Sequence, residues 1–502
     1  MHIFRKILNG FLLLLGLVTT VIILVDTIKA VHNTVMTWAA IAAILLFVVI
    51  AILLTLTPRR RGWRIGILSV ILIVAFALRA TWILHTRSFP VADFYTFYEA
   101  SIDFAHGVNP FHHPGYFATW PYQNGFVIWQ SWLMRIFGTS ELTLQMVNAA
   151  FSTLTVLVIY FLGKELMNFR TGLLAAYVYA LYVPAIVMSS VLTNQTVATL
   201  FYLCGFWLLL RSQKNLAGSW RWLWGSAGAG FLLACGNILR PLGSLIMLAI
   251  GVFYVCYMLW AQRGHWRDVL KPLAFVAVLF GLYFGTMGAA NTAIVATGTA
   301  PYKLVNRNPT WKFVTGLDYD SNGMYSNMKI RELGTYALGH DRNVHGKWMI
   351  QQETKDKGKI LHLFWNKARY MWSHLDDAYN WAVNNDSAAI NPNNRGQKLA
   401  TTQAFQGMQW FTIFLAFAAG LLAIFTRWGK RLQISYMAPM FVIMWFGYAA
   451  VHLLIEIQLR YRFFIMPTII IIGAMGAVAT CQWAYRKLLP NDPLQLRLDD
   501  EK

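Results

Sequence analysis

The sequence predicts an all-α polytopic membrane protein, a bundle of about 12 transmembrane helices, and three observations support that prediction. Hydrophobic residues make up 57% of the 502 residues and charged residues only 13%, against roughly 45–50% and about 25% in soluble domains. A soluble fold could not hide so much apolar surface. Stretches of about 20 apolar residues recur along the chain, each long enough to cross a hydrocarbon core of roughly 30 Å as a helix. The alternating ten-residue pattern of a membrane β-barrel is absent, and helices satisfy their own backbone amides where no water can.

Twelve spans are expected, at 7–28, 36–57, 65–84, 141–162, 171–191, 196–211, 223–239, 242–261, 272–292, 408–426, 434–455 and 463–481. The first follows Arg5 and Lys6, is longer than a signal-peptide core and lacks a small-residue cleavage site, so it is read as a span. The formal charge of +21 is carried largely in short clusters between apolar segments. These are Arg59, Arg60, Arg61 and Arg64; Lys164 and Arg170; Arg211, Lys214 and Arg221; Arg263, Arg267 and Lys271; Arg427, Lys430 and Arg431; and Arg486 and Lys487. They fall in alternate connections, which places both termini in the cytoplasm and gives the basic residues anionic lipid, not nucleic acid, as a partner. Cys204, Cys235, Cys256 and Cys481 lie inside apolar segments without a CxxC spacing and read as core packing.

Residues 124–138 are apolar but short, and read as an interfacial helix with Trp129 and Trp132 at headgroup level; a short true span is the alternative. The expected organisation is two N-terminal helices (1–64), a core (65–292) with a long extracytoplasmic loop at 85–140 between spans three and four, and a small extracytoplasmic domain (293–407). The last three spans (408–485) and a cytoplasmic tail (486–502) complete it. Within the domain, Asp341 to Tyr370 reads as helical, with Trp348, Ile360, Leu363, Phe364 and Trp365 available for a buried face.

The stretch from Phe89 to Glu99 places Asp93 just beyond the exit of a span, near the level of lipid phosphates. A carboxylate held there among aromatic neighbours is partly desolvated, which raises its basicity and suits a general base; an exposed helix cap is the plainer reading. Arg460 and Arg462 approach the last span from outside, at the depth of a lipid phosphate, and Glu456 stands one helical turn before Arg460 for an i,i+4 pair. Arg240 offers another cation beside Pro241.

The ordered set of Asp93, an aromatic helix, Gly107-Val-Asn-Pro110-Phe, Trp120-Pro121-Tyr122, Leu239-Arg240-Pro241, Thr315-Gly316-Leu317, Ser321-Asn322-Gly323-Met-Tyr325, and Glu456 with Arg460-Tyr461 resembles the GT-C membrane glycosyltransferases. The branch it resembles contains protein O-mannosyltransferases and lipid A aminoarabinose transferases. The resemblance covers most of residues 65–480, with the first two spans as an addition. It implies Asp93 as catalytic base or its orienting partner and a polyprenyl-phosphate sugar as donor; Arg460, the better match to the family's Arg-Tyr pair, and by their position Arg240 and Arg462, are expected on the donor phosphate. Tyr122, Tyr461, Glu456 and Asn194 would support the site, and Asn322, Gly323 and Tyr325 would face the acceptor, an envelope glycan, lipid or protein. The sequence departs from the family at Thr193-Asn194, where many relatives carry an acid after the threonine. Asn194 can bond an acceptor but cannot take its proton, which puts a metal bridging two carboxylates in doubt. No resident cofactor is expected; a divalent metal is left open but not predicted.

Asp318-Tyr-Asp320-Ser-Asn322-Gly323 begins like a calcium loop, but its twelfth position is Lys329 where a bidentate glutamate is required. His112 and His113 are adjacent and cannot form the i,i+4 pair of a helical zinc site. Gly225-Ser-Ala-Gly228-Ala-Gly230 lacks a phosphate-loop ending and reads as a helix-packing stripe. The competing function is a transporter or flippase, which would bury ionisable groups at the bilayer midplane; these spans hold almost none away from their ends. A non-enzymatic envelope scaffold is the third.

Overall fold

The computed structural model describes residues 2–32, 38–58, 60–86, 88–214, 220–259, 266–383, 395–426, 428 and 432–488, and their regular structure is all helical. Arg59, Arg263, Arg427, Lys430 and Arg431, Gly429 and the expected tail beyond Leu488 lie outside the described residues.

Every expected span coincides with a helix: His2–His32, Trp38–Thr55, Arg61–Thr86, Glu141–Leu166, Phe169–Ala180 continued by Val183–Val187, Asn194–Gln213, Arg221–Leu239, Gly243–Phe253, Trp266–Ala296, Arg395–Phe425, Ala438–Leu454 and Met466–Leu488. Among the described residues, seven helices are long and apolar enough to cross a membrane, or eight if the bent pair Phe169–Ala180 and Val183–Ser190 is one span. The chain is an all-α polytopic membrane protein. Helix Asn194–Gln213 has a weak apolar signal because neighbouring helices enclose it, so Thr196 and Thr199 are buried against protein and not lipid.

The fifth span bends by 60°. Pro184 cannot donate to the preceding turn, and the carbonyls freed there need other donors. Arg79, fully buried on helix Arg61–Thr86, supplies them: its Nη1 donates to Ala180 O at 3.1 Å and its Nη2 to Tyr179 O at 3.4 Å, while Nε donates to Ser152 Oγ at 2.7 Å. The glycine stripe performs the expected packing, since a Cβ at Gly230 would run into the Leu279 carbonyl of helix Trp266–Ala296.

Helix Asn124–Phe137 has 14 residues, roughly 21 Å, too short for the hydrocarbon core. It packs on helix Asp93–Ala105, where Ser101 Oγ donates to Gln130 Oε1 at 3.0 Å. Trp132 is exposed, while the half-buried Trp129 packs between Phe126 and Phe151.

The helix expected from Asp341 to Tyr370 is two, His340–Glu353 and Lys357–Ser373. Asp356 breaks it by accepting from Gly358 N and Lys359 N as the cap of the second. Leu363 is buried as expected, whereas Trp348 and Trp365 are each 49% exposed. Lys367 occupies the buried face in their place.

Candidate active site

The loops 88–123 and 297–383 fold over one end of the bundle and are tied together there. Asn109 Nδ2 donates to Thr299 O at 2.9 Å, and Arg307 Nη1 to Ala118 O at 2.8 Å. His112 belongs to the same seam, its Nε2 lying 2.8 Å from Gly298 O. Asp93 is the first residue of helix Asp93–Ala105, directly after Ala92, whose φ of 50° lies in the left-handed region that costs a non-glycine residue energy. Phe94 and Phe97 bury behind it and fix the helix end. Asp93 itself is exposed, so the expected burial of this carboxylate is not present. Its charge reaches Tyr116 and Tyr122; burial first, and then that charge, holds both phenols well above their ordinary range.

Opposite Asp93 runs an irregular strap between helix Ala438–Leu454 and helix Met466–Leu488, ending in the 3-10 turn Leu459–Phe464. Its backbone is stitched to the loop: Glu456 N donates to Lys312 O at 2.8 Å and Ile457 N to Gly323 O at 2.9 Å. Lys367 completes the stitch, with Nζ donating to Gly316 O at 2.5 Å and to Leu453 O and Ile455 O, each at 2.8 Å. Gly316 is required because a Cβ would overlap the Ile455 backbone. Gly323, at φ 71°, folds its turn against the stem of Lys367. The Thr315–Tyr325 segment therefore positions the strap.

The strap presents its charges around one ring. The Tyr461 centroid lies 5.6 Å from the Arg240 guanidinium carbon, 5.8 Å from that of Arg460 and 5.3 Å from Lys312 Nζ. Arg460 also stacks on Trp381 at 4.2 Å and Phe94 at 4.9 Å, the residue after Asp93. Its Nε donates to Gln458 Oε1 at 2.6 Å, and Gln458 Nε2 donates to Glu456 Oε1 at 2.6 Å. Glu456 thus acts on Arg460 through Gln458 and not as the expected i,i+4 pair, because the segment is not α-helical. The Nη atoms of Arg460 have no hydrogen-bond partner among the described residues. Arg240 Nη1 donates to Asn194 Oδ1 at 2.9 Å, and Asn194 Nδ2 donates to Leu239 O at 3.0 Å and Gln123 Oε1 at 3.3 Å.

Asp93, Tyr122, Asn194, Arg240, Glu456, Arg460 and Tyr461 are thus brought together, while three other expected site residues stand apart. Arg462 is fully buried, with Nη2 3.2 Å from Asp376 Oδ2, Nη1 donating to Met371 O and His374 O, and Nε to Leu459 O. All three nitrogens are committed to the protein, so no donor-phosphate role is assigned to it. Asn322, which accepts from Asn366 Nδ2 at 3.2 Å, and Tyr325 are exposed beyond the strap. Lys312, Gln458 and Trp381 were not visible as site residues in the sequence. Lys312 lies on the short helix Trp311–Gly316 inside an aperiodic, aromatic-rich segment, and the Glu456 backbone bond to its carbonyl ties it to the strap. No cluster of three His, Cys, Asp or Glu suited to a metal ion occurs among the described residues.

Residues 125–287 match the protein-family model described as dolichyl-phosphate-mannose-protein mannosyltransferase. That stretch contains Asn194 and Arg240 but neither Asp93 nor Arg460. A segment of 90 residues is 33% identical to protein O-mannosyltransferase 1 of Drosophila pseudoobscura pseudoobscura, covering 16% of this chain and 10% of that protein. The fold is similar to the archaeal oligosaccharyltransferase AglB from Archaeoglobus fulgidus in complex with an inhibitory peptide and a dolichol-phosphate. The TM-score is 0.50 at 16% identity, covering 87% of this chain and 53% of that one. The apo form of the Archaeoglobus fulgidus oligosaccharyltransferase gives a TM-score of 0.51 at 14% identity, covering 88% and 52%. The chain spans about half the length of these solved structures and a tenth of the curated relative is matched. The family match over residues 125–287, the mannosyltransferase segment and the shared fold all point to similarity with the GT-C superfamily of membrane glycosyltransferases.

Proposed function

We propose that the protein transfers a sugar, with inversion, from a polyprenyl-phosphate donor to a hydroxyl of an envelope glycan, lipid or protein on the extracytoplasmic face of the cell membrane. The observation that carries this is the exposed Asp93 carboxylate facing a group of cations gathered on Tyr461 at one end of the membrane bundle. The acceptor oxygen attacks the anomeric carbon and its proton passes to Asp93. The bond from that carbon to the phosphate oxygen breaks, and its electron pair leaves with the lipid phosphate. Arg460 and Arg240 lie where that charge develops, and fixed cations in a partly dry site stabilise it without reorganising.

A neighbour solved with a dolichol-phosphate supports a lipid-phosphate donor. Nucleotide sugars are cytoplasmic, so a site on the outer face needs a sugar carried across by a lipid. The basic clusters support that orientation. The transport reading gains nothing from Arg79, whose guanidinium is taken up by backbone carbonyls at a helix break. Purified protein given a radiolabelled polyprenyl-phosphate sugar and membrane extract should release polyprenyl phosphate as labelled acceptor appears. Failure of any such donor to react, with the protein folded, would overturn the proposal.

A further inference from the structure

The two arginines alone do not make an anion site. Arg240 and Arg460 share their surroundings with two carboxylates, Asp93 and the fully buried Glu456, and two cations against two carboxylates sum to zero. A lipid-phosphate diester carries one negative charge, so a site that holds it against water needs an excess positive charge. Lys312 is the cation that supplies the excess. Its Nζ lies over the Trp311 ring at 5.4 Å and the Tyr461 ring at 5.3 Å, and has no hydrogen-bond acceptor among the described residues. An ammonium carries three donors, and its nearest contacts here are two ring faces, with the Glu456 charge close by but not hydrogen-bonded to it among the described residues. Its backbone is fixed by the bond from Glu456 N to its carbonyl, so the side chain is aimed from a rigid point.

Resting on the polyprenyl-phosphate reading above, we infer that Lys312 is a direct ligand of the donor phosphate, the third cation of the site and the one that gives it net positive charge. It is a catalytic residue in the sense of touching the leaving group. The two arginines orient the phosphate from the strap and from the end of helix Arg221–Leu239, while Lys312 closes the site from the first turn of helix Trp311–Gly316. The charged groups facing it are Glu456, Arg460, Arg240 and Asp93, with His452 on helix Ala438–Leu454 behind. Burial pushes its ammonium below the ordinary lysine range, and the charge of Glu456 opposes that shift. The protonated, binding form is therefore lost as pH rises, at a pH below that of an exposed lysine.

The test is binding of a polyprenyl monophosphate, without sugar, to the detergent-purified full chain, followed by transfer kinetics. Lys312→Met, with thermal unfolding matched to wild type, should weaken binding by about 10- to 100-fold, the value of one or two charge-assisted hydrogen bonds. Lys312→Arg should restore most of the affinity and carry it unchanged to higher pH, whereas wild type weakens there. This alkaline difference would not arise from a residue that only packs, and it stands even if Lys312→Met fails to fold. Wild-type binding that is lost in Arg460→Ala but unaltered in Lys312→Met, or identical pH profiles for wild type and Lys312→Arg, would overturn this assignment while leaving the donor reading intact. No binding by wild type would overturn both.

Discussion

Asn194 accepts a hydrogen bond from Arg240 Nη1 at 2.9 Å, so a neutral amide orients this arginine. Asn194→Asp should convert the contact to an ion pair, compensate Arg240 and weaken polyprenyl-phosphate binding by about 10-fold. The aspartate also loses the donors to Leu239 O and Gln123 Oε1, so the thermal midpoint should fall. Titration of the purified variant checks both, and unchanged affinity would sink the idea that a neutral partner at Arg240 matters for the site's charge.

Asp93→Asn keeps size and hydrogen bonding but removes basicity. General-base catalysis is worth about 10²–10⁴-fold, so transfer should slow at least about 100-fold while donor binding persists. Asp93→Glu should retain more unless its extra methylene misplaces the carboxylate. Changes at Glu99 and Asp103, on the same helix, should be milder. Near-normal turnover by Asp93→Asn at matched expression would return Asp93 to the role of an exposed helix start.

Arg460→Ala and Arg462→Ala should fail differently. The first removes a side chain whose Nη atoms have no hydrogen bond among the described residues, and should spare folding while cutting turnover. The second leaves Asp376 buried without its partner, a loss of about 3–5 kcal/mol in comparable pairs, and should appear as lost yield and a lower unfolding temperature. Thermal scans beside kinetics separate the two; a stable, slow Arg462→Ala protein would contradict the assignment of Arg462 to the loop framework.

Lys367→Met should loosen the strap. It leaves the carbonyls of Gly316, Leu453 and Ile455 without that donor, at about 1–3 kcal/mol for each one left unpaired. Hydrogen exchange at Glu456 and Ile457 should rise before the membrane helices change. Protection equal to wild type would show that the strap holds without the lysine.

Topology has its own check. A cysteine at Asn322, which is exposed, should react with an impermeant reagent from outside, and one at Gly429 only after permeabilisation. The reverse pattern would move the site to the cytoplasmic face.

The spans were legible because apolar runs of bilayer length leave few other structures, and helix Asn194–Gln213 was recovered despite its polar residues because it still carried an apolar stretch between basic and turn residues. The site was legible where a residue sat at a span exit, as Asp93, Arg240 and Arg460 do. It was not legible where side-chain direction depended on the local helix type. Arg460 and Arg462 look alike in sequence, yet the 3-10 turn sends one to the site and the other to Asp376. The same geometry replaced the expected Glu456–Arg460 pair with a relay through Gln458. Lys367 was hidden for a different reason, since nothing in a polar helix signals that a lysine, and not Trp365, takes the buried face.

The bidentate pair between Arg369 and Asp26, both bonds at 2.8 Å, joins positions 343 residues apart. At a translation rate of about 5–20 residues per second, the first helix is made roughly 20–70 s before its partner exists. During that interval Asp26 has no Arg369 to pair with, so docking of the helix that carries Lys367 onto the first helix is a late event in biosynthesis. Helix His2–His32 thus serves as a dock prepared in advance for a segment that arrives after most of the bundle has been made.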